Sequence, residues 1–123
     1  MSTWTPQAAR SLTAPQEVQV VVRRPDGTLR PPRIIWIVGD GNQVFIRSVN
    51  GRTADWFRGA IATGTGQVLA GGTAYEVAFT EAQGSDLARV DAAYRRKYGA
   101  YASIVDNLVE DGPRAATLEV HPA

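Results

Sequence analysis

The 123-residue chain has no cysteine, a single histidine, a single lysine and a single methionine. The missing cysteines exclude disulfides, thiolate catalysis and thiolate-held zinc or iron–sulfur centres. His121, the only imidazole, lies near the end of the chain, so no Ser-His-Asp arrangement forms unless that tail enters a site. Asp106, Glu110 and Asp111 cluster with no histidine or cysteine beside them. They make a weak calcium-like set at most, and a solvated face is the simpler reading. No metal site is expected. Nucleotide-phosphate fingerprints of the GxxxxGKS/T or GxGxxG kind are absent as well.

Charge of one sign is also scarce. Lys and Arg total 13 against 12 acidic residues, a formal net charge of +1, and the arginines are spread from Arg10 to Arg114. A duplex-binding protein concentrates them on one face, so no nucleic-acid partner is expected. No apolar run approaches the roughly 18 residues of a membrane span. The opening MSTWTPQAAR has neither the basic nor the apolar region of an export signal. The expectation is a cytoplasmic protein without a membrane partner. At 44% hydrophobic and 20% charged, the composition is ordinary for a globular chain, and its length suits one domain over residues 1–123.

Local patterns then divide the chain. Thr5-Pro6 reads as the N-cap and first residue of a short helix to about Leu12. Glu17–Arg23 is a valine-rich strand, and Pro25-Asp26-Gly27-Thr28 is a turn. Pro31-Pro32 keep the backbone extended into Arg33–Val38 (RIIWIV), which returns through Gly39–Asn42 as the strand Gln43–Val49. A helix over Thr53–Thr63 buries Trp56, Phe57, Ala60 and Ile61 and ends at Gly64. Gly66–Ala70 and Thr73–Thr80 form a second hairpin across Gly71-Gly72. Ser85 caps a helix to about Lys97, with Leu87, Val90 and Tyr94 on one face. After Gly99 a helix over Tyr101–Val109 turns Ile104, Val105 and Leu108 inward, Gly112-Pro113 stop it, and Ala115–His121 is a closing strand.

Six strands, mostly joined by hairpins, carry a helix after the third and a helical pair before the last. The pattern predicts a mainly β, α+β fold built on a six-stranded barrel, because closure removes exposed sheet edges. A sandwich is the competing architecture. RIIWIV is apolar on both faces, so one face fills the barrel and helices or a second subunit cover the other.

The stretch from Gln43 to Ala60 holds the densest chemistry. Arg47 and Ser48 end a strand, Asn50-Gly51 turn, and a helix opens near Thr53 carrying Trp56. A cation, a hydroxyl, free N–H groups and an aromatic ring in one corner suit a phosphate attached to a ring system. Each has a plainer reading: Arg47 paired with an acid, Asn50 to Thr53 as turn and cap, Trp56 and Trp36 as core. Tyr94 to Tyr98 (YRRKY) is explained by the helix dipole, or else Arg95, Lys97 and Tyr98 face an anionic ligand together with Tyr101. Glu76, a lone strand carboxylate, is read as exposed, and Trp4 as an anchor for the N-terminal segment.

The order of elements resembles the FMN-binding split-barrel superfamily, which includes pyridoxamine-phosphate-oxidase-like and deazaflavin-dependent nitroreductase-like proteins. Closer still, the chain resembles the DUF2255 family of small bacterial proteins. The residues that carry the likeness are PDGTLRPPRIIWIV at 25–38, VFIRSVNGRTADWFRGA at 44–60, DAAYRRKYGAYASIV at 91–105 and RAATLEV at 114–120. The resemblance implies a homodimer of split barrels with FMN or F420 in a groove at the subunit interface. It carries phosphate-holding roles onto Arg33, Arg47, Ser48, Asn50, Arg52 and Thr53, with Trp56 walling the ring. An RKSG-type flavin-phosphate string is absent. The implied activity is an oxidoreductase acting on a small molecule, with Tyr98 and Tyr101 facing substrate. The competing expectation is a cofactor-free member that binds a small ligand or catalyses an isomerisation or cyclisation. Its pocket would be lined by Trp36, Tyr75, Tyr94 and Tyr98.

Overall fold

The computed structural model describes residues 3–123. Helix α1 (Pro6–Thr13) starts as its sequence dictates: the Thr5 hydroxyl accepts the Ala8 N–H at 3.2 Å, and Pro6 sits where a missing N–H costs nothing. The chain continues through β1 (Val18–Val22), β2 (Arg33–Ile35), β3 (Ile37–Asp40) and β4 (Gln43–Arg47). A 3-10 turn at Gly51–Thr53 leads into α2 (Asp55–Thr63), then β5 (Thr65–Ala70) and β6 (Thr73–Glu81). Helices α3 (Ser85–Tyr98), α4 (Ala102–Leu108) and α5 (Asp111–Arg114) precede the last strand, β7 (Thr117–Pro122).

The seven strands form one antiparallel sheet in the order β2-β1-β5-β6-β7-β4-β3. β2 and β3 are separated by Trp36 alone, yet they lie at opposite edges of that sheet. The sheet therefore curls until its edges meet, and the result is a nearly closed split barrel. RIIWIV is one continuous segment that changes partner. Ile35 pairs with Val18 of β1, whereas Ile37 pairs with Ile46 of β4. That switch is why seven strands stand where the sequence pattern predicts six.

Parity along the strands sorts the core. Val20, Val22, Ile35, Ile37, Val44, Ile46, Val77 and Leu118 fill the barrel, joined by Leu12 of α1 and Phe57 and Ala60 of α2. On the outer face Val38 and Phe45 pack under Val90, Tyr94 and Tyr98 of α3 and Val105 and Leu108 of α4. The second apolar face of RIIWIV is thus covered by helices from the same chain, except that Ile34 stays 67% exposed. Trp4 anchors the N-terminal segment, its indole N–H donating to the Val120 carbonyl at 2.7 Å.

Several boundaries differ from the sequence expectations. β4 ends at Arg47 rather than Val49, because its ladder partners stop there. α2 begins at Asp55, and Ile61 points outward. Gly84, not Ser85, is the N-cap of α3, and no side chain caps it. Ile104 is 44% exposed instead of facing inward. Gly112-Pro113 do not simply stop α4; they lie inside the short α5, where Pro113 takes an early helical position.

Gly66 of β5 pairs with Val22 of β1 at a tight approach. A Cβ there would collide with the Val21 carbonyl oxygen and come within 3.1 Å of the Val22 Cα and 3.2 Å of the Phe79 ring. Gly66→Ala is expected to cost about 1–3 kcal/mol, since backbone cannot move aside as a side chain does. Gly99→Ala meets open space in a helical backbone and should be neutral or stabilising by about 0.5–1 kcal/mol. Urea denaturation of the two variants checks the contrast.

Candidate ligand-binding cleft

Upstream of Ile37 the chain peels away from β4 toward β1, so among the described residues nothing pairs with the end of β4 on that side. The split opens into a cleft of about 670 Å³. β2 and the following residue contribute Arg33, Ile34, Ile35 and Trp36, and the end of β4 contributes Arg47, Ser48, Val49 and Asn50. Trp56 comes from α2, Tyr94 from α3, and Ile104 and Leu108 from α4, with Glu17 and Pro32 at the rim.

Arg47 is 1% exposed and its guanidinium is engaged by the protein. Nε donates to the Thr117 hydroxyl at 2.8 Å, one Nη to the Asp91 carboxylate and to the Leu108 carbonyl at 3.0 Å, and the other to the Leu87 carbonyl at 2.9 Å. Asp91 also accepts Arg114 as an ion-pair partner at 3.1 Å. Arg47 therefore ties β4 to β7, α3 and α4 and also closes the carbonyl end of α4, a place where helices leave acceptors unpaired.

Ser48 is the opposite case. Its N–H donates to the Ala116 carbonyl at 3.1 Å, but its hydroxyl is buried with no partner among the described residues. A buried hydroxyl without a hydrogen bond is costly. Here it borders the cleft, where a ligand group could satisfy it.

Beside it, Asn50 and Thr53 lead into α2, whose N-cap residue Ala54 supplies no side-chain acceptor. The first N–H groups of that helix are free of a side-chain cap, and Asp55 in the first turn suits the helix dipole. Arg33, Asn50, Thr53, Ala54, Asp55 and Trp56 line an open trough in front of these donors. Arg33 is exposed and, among the described residues, makes no salt bridge or side-chain hydrogen bond.

The aromatic residues divide. Trp36 stacks on Tyr98 with centroids 3.9 Å apart and planes 5° apart, and Tyr101 tilts against it at 5.6 Å. The Tyr98 hydroxyl donates to the Gln16 carbonyl at 2.6 Å, and burial pushes its pKa up to about 12. Tyr94 is fully buried, its hydroxyl donates to the Trp36 carbonyl at 3.3 Å, and desolvation raises its pKa strongly. These contacts hold the peeling segment at the residue where it changes partner.

Other expected site residues lie elsewhere. Arg52 pairs with Glu81 at 2.5 Å and donates to the Ala115 carbonyl, away from the cleft. Tyr75 meets Trp4 edge-on at 6.0 Å. Lys97 donates to the carbonyls of Pro15 and Ile37, both at 2.7 Å; burial pulls its pKa down to about 8, while the two acceptors favour its charged form. Glu76 is exposed and bonded to Arg23 at 2.8 Å. Among the described residues no cluster of potential metal ligands occurs. Ile34, Val49 and Ile104 join the cleft beyond the expected residues; strand alternation could have turned Ile34 outward, but no local signal gives the helix rotation that exposes Ile104.

A split barrel with a ligand-sized cleft between its parted strands defines the class of protein. The chain belongs to the DUF2255 family, described as uncharacterized proteins conserved in bacteria, whose model matches residues 9–120. None of the curated proteins matches it in sequence. Among solved structures, an F420-H2 dependent reductase (FDR-A) is similar with 15% identity and a TM-score of 0.66, over 86% of this chain and 94% of that one. HutZ, a haem storage protein from Vibrio cholerae, is similar with 11% identity and a TM-score of 0.69, over 100% and 92%. A Listeria innocua protein assigned as a pyridoxamine 5'-phosphate oxidase gives 12% and 0.60, over 93% and 87%. At these identities the likeness is one of fold. No helix among the described residues is long and apolar enough to cross a membrane.

Arg47→Ala should cost about 2–5 kcal/mol in urea denaturation, because it empties a buried site and leaves the Leu108 and Leu87 carbonyls and the Thr117 hydroxyl without their donor, while Asp91 keeps Arg114. Ser48→Ala should be neutral or slightly stabilising without ligand, since it removes an unpaired hydroxyl. Tyr98 keeps its proton in the fold beyond the pH near 10.0 at which the unfolded chain releases it. The stability it confers is complete below pH 10 and is lost as the pH rises toward about 12. Unfolding free energies from urea denaturation across that window should fall, by up to about 1.4 kcal/mol per pH unit for each such phenol, and fall less steeply in Tyr98→Phe.

Proposed function

We propose that the cleft binds a phosphate-bearing flavin or deazaflavin and that the protein is an oxidoreductase acting on a small organic molecule as a homodimer. The observation that carries this reading is the buried, unpartnered Ser48 hydroxyl at a cleft whose mouth holds the unpaired Arg33 and the uncapped start of α2. Those donors suit an anionic phosphate. A volume of about 670 Å³ falls within the range of small-molecule sites. The residues present thus fit the group: Arg33, Asn50 and the α2 N–H groups toward phosphate, Ser48 toward a polar edge, and Trp56, Trp36 and Ile35 as walls.

When bound, the ring system supplies hydride transfer, and the protein supplies position and electrostatics. Ile34, Val49 and Ile104 are 67%, 51% and 44% exposed around the cleft. A second copy seated on them would bury apolar surface and exclude water from the ligand, which is the support for the dimer. Haem is a poorer fit, although it is the ligand of some fold relatives. Among the described residues the cleft lining contains no histidine, cysteine or methionine, and its one phenol, Tyr94, is bonded to the Trp36 carbonyl.

The second reading is a cofactor-free protein binding a small carboxylate. It is favoured by the commitment of Arg47 to the protein, which leaves Arg33 as the unpaired arginine of the lining.

The visible spectrum of the protein as isolated and its melting temperature with FMN or F420 test the proposal. Ligand at about 100 times Kd stabilises by about 2.7 kcal/mol, on the order of 10 °C for a domain of this size. Arg33→Ala should reduce that shift without lowering the melting temperature of the free protein. Colourless protein with no shift from either ligand would discard the flavin reading and leave the carboxylate reading standing.

A further inference from the structure

Lys97 is the only lysine in the chain, and it lies outside the cleft lining. It is half-buried at the end of α3, where its ammonium donates to the Pro15 and Ile37 carbonyls, both at 2.7 Å. No carboxylate pairs with it among the described residues. Asp40 of β3 is held by Arg89 at 2.7 Å, and Glu17 borders the cleft instead. The Tyr98 ring lies 4.9 Å from Nζ, and burial keeps that phenol neutral.

The same lysine lines a pocket of about 290 Å³ between α1, β3 and α3. Arg10 of α1 and Arg96 of α3 line it as well. Both are exposed, and neither makes a salt bridge or side-chain hydrogen bond among the described residues. Gly39 and Gly41 contribute no side chain, and among the described residues the lining contains no acid. Three cations without a counter-charge favour an anion in the space they share. Lys97 differs from the two guanidiniums in being able to lose its proton. Its carbonyl bonds use two of three N–H groups, and the third has no acceptor among the described residues. A neutral amine keeps both bonds and carries its lone pair at that third position. Burial pulls the pKa down to about 8, so near pH 7 a far larger share is neutral than of an exposed lysine. A desolvated amine beside other cations is an activated nucleophile.

We infer that Lys97 is a site of acylation by an acyl phosphate, whose phosphate the Arg10 and Arg96 guanidiniums hold beside the amine. The nitrogen attacks the acyl carbon, and a C–N bond forms. The bond from that carbon to the phosphate oxygen breaks, inorganic phosphate leaves with the electron pair, and the surplus proton on nitrogen passes to water. Nothing is oxidised or reduced. The resulting amide has lost the positive charge and keeps one N–H for two carbonyls. Acylation therefore releases either Pro15, which leads into β1, or Ile37, where the chain joins β4. The site is separate from the cleft and does not depend on what the cleft binds.

The test is mass spectrometry of the wild-type protein treated with acetyl phosphate, with peptide mapping to follow the label at Lys97. At pH 7 the folded protein should be labelled there roughly ten-fold faster than the urea-unfolded chain, because more of its amine is neutral. The folded rate should level off above about pH 8, while the unfolded lysine keeps gaining toward 10.5. Arg10→Gln with Arg96→Gln should remove most of the rate with acetyl phosphate and leave that with a neutral ester, p-nitrophenyl acetate, nearly unchanged. Inorganic phosphate should slow the wild type and not the double variant, and added salt should do the same. The acetylated protein should melt below the unmodified one. Labelling no faster in the fold than in the unfolded chain, or an acetyl phosphate rate indifferent to the arginine variants, overturns the inference.

Discussion

The buried Arg47 guanidinium is the interaction on which the rest of the architecture depends. It leaves β4 at the point where the barrel parts and reaches β7, α3 and α4 at once. A cation sealed from water survives only if nearly every N–H finds an acceptor. Four hydrogen bonds, one of them to the Asp91 carboxylate, meet that demand, and in meeting it they fix where the two helices lie against the barrel. Because α3 then presents Tyr94 and Tyr98 to Trp36, the segment that switches from β1 to β4 is clamped at its switching residue. The cleft is the space this clamp leaves open.

The dipeptide Arg47-Ser48 thus divides its labour. One side chain is saturated by the protein, and its neighbour is left with nothing. That contrast carries the functional reading, since a buried hydroxyl without a partner is rare and a bound group or water at the cleft would satisfy it.

Much of the local structure was legible. The Thr5-Pro6 start, the Gly71-Gly72 hairpin, the left-handed Gly64 that ends α2 and the alternation of Tyr75, Val77 and Phe79 are short-range rules, and they hold. Some misses were local, as at Ser85 and at Gly112-Pro113, but the larger ones came from long-range partners. RIIWIV reads as one strand because nothing in six residues reveals that its two halves bond to different neighbours. Ile61 and Ile104 fit a helical stripe, but which side of a stripe faces inward is decided by the rotation of the whole helix. The same holds for the site. Adjacency to a strand end and a helix start put Asn50, Trp56 and Ser48 in one corner, and all three border the cleft, whereas Arg52 shares that address and turns to Glu81 instead.

The residue pattern by itself determined a cysteine-free α+β chain, its hairpins and helix ends, and the corner where a hydroxyl and uncapped N–H groups come close in sequence. Periodicity and turn chemistry act over a few residues, so these required no knowledge of the whole. Tertiary structure alone decided that the barrel splits at Trp36 and that Arg47 serves the fold while Arg33, among the described residues, stays unpaired. The reason is that a guanidinium on a long side chain takes its role from whichever acceptors lie within its reach, and those are supplied by strands and helices tens of residues away.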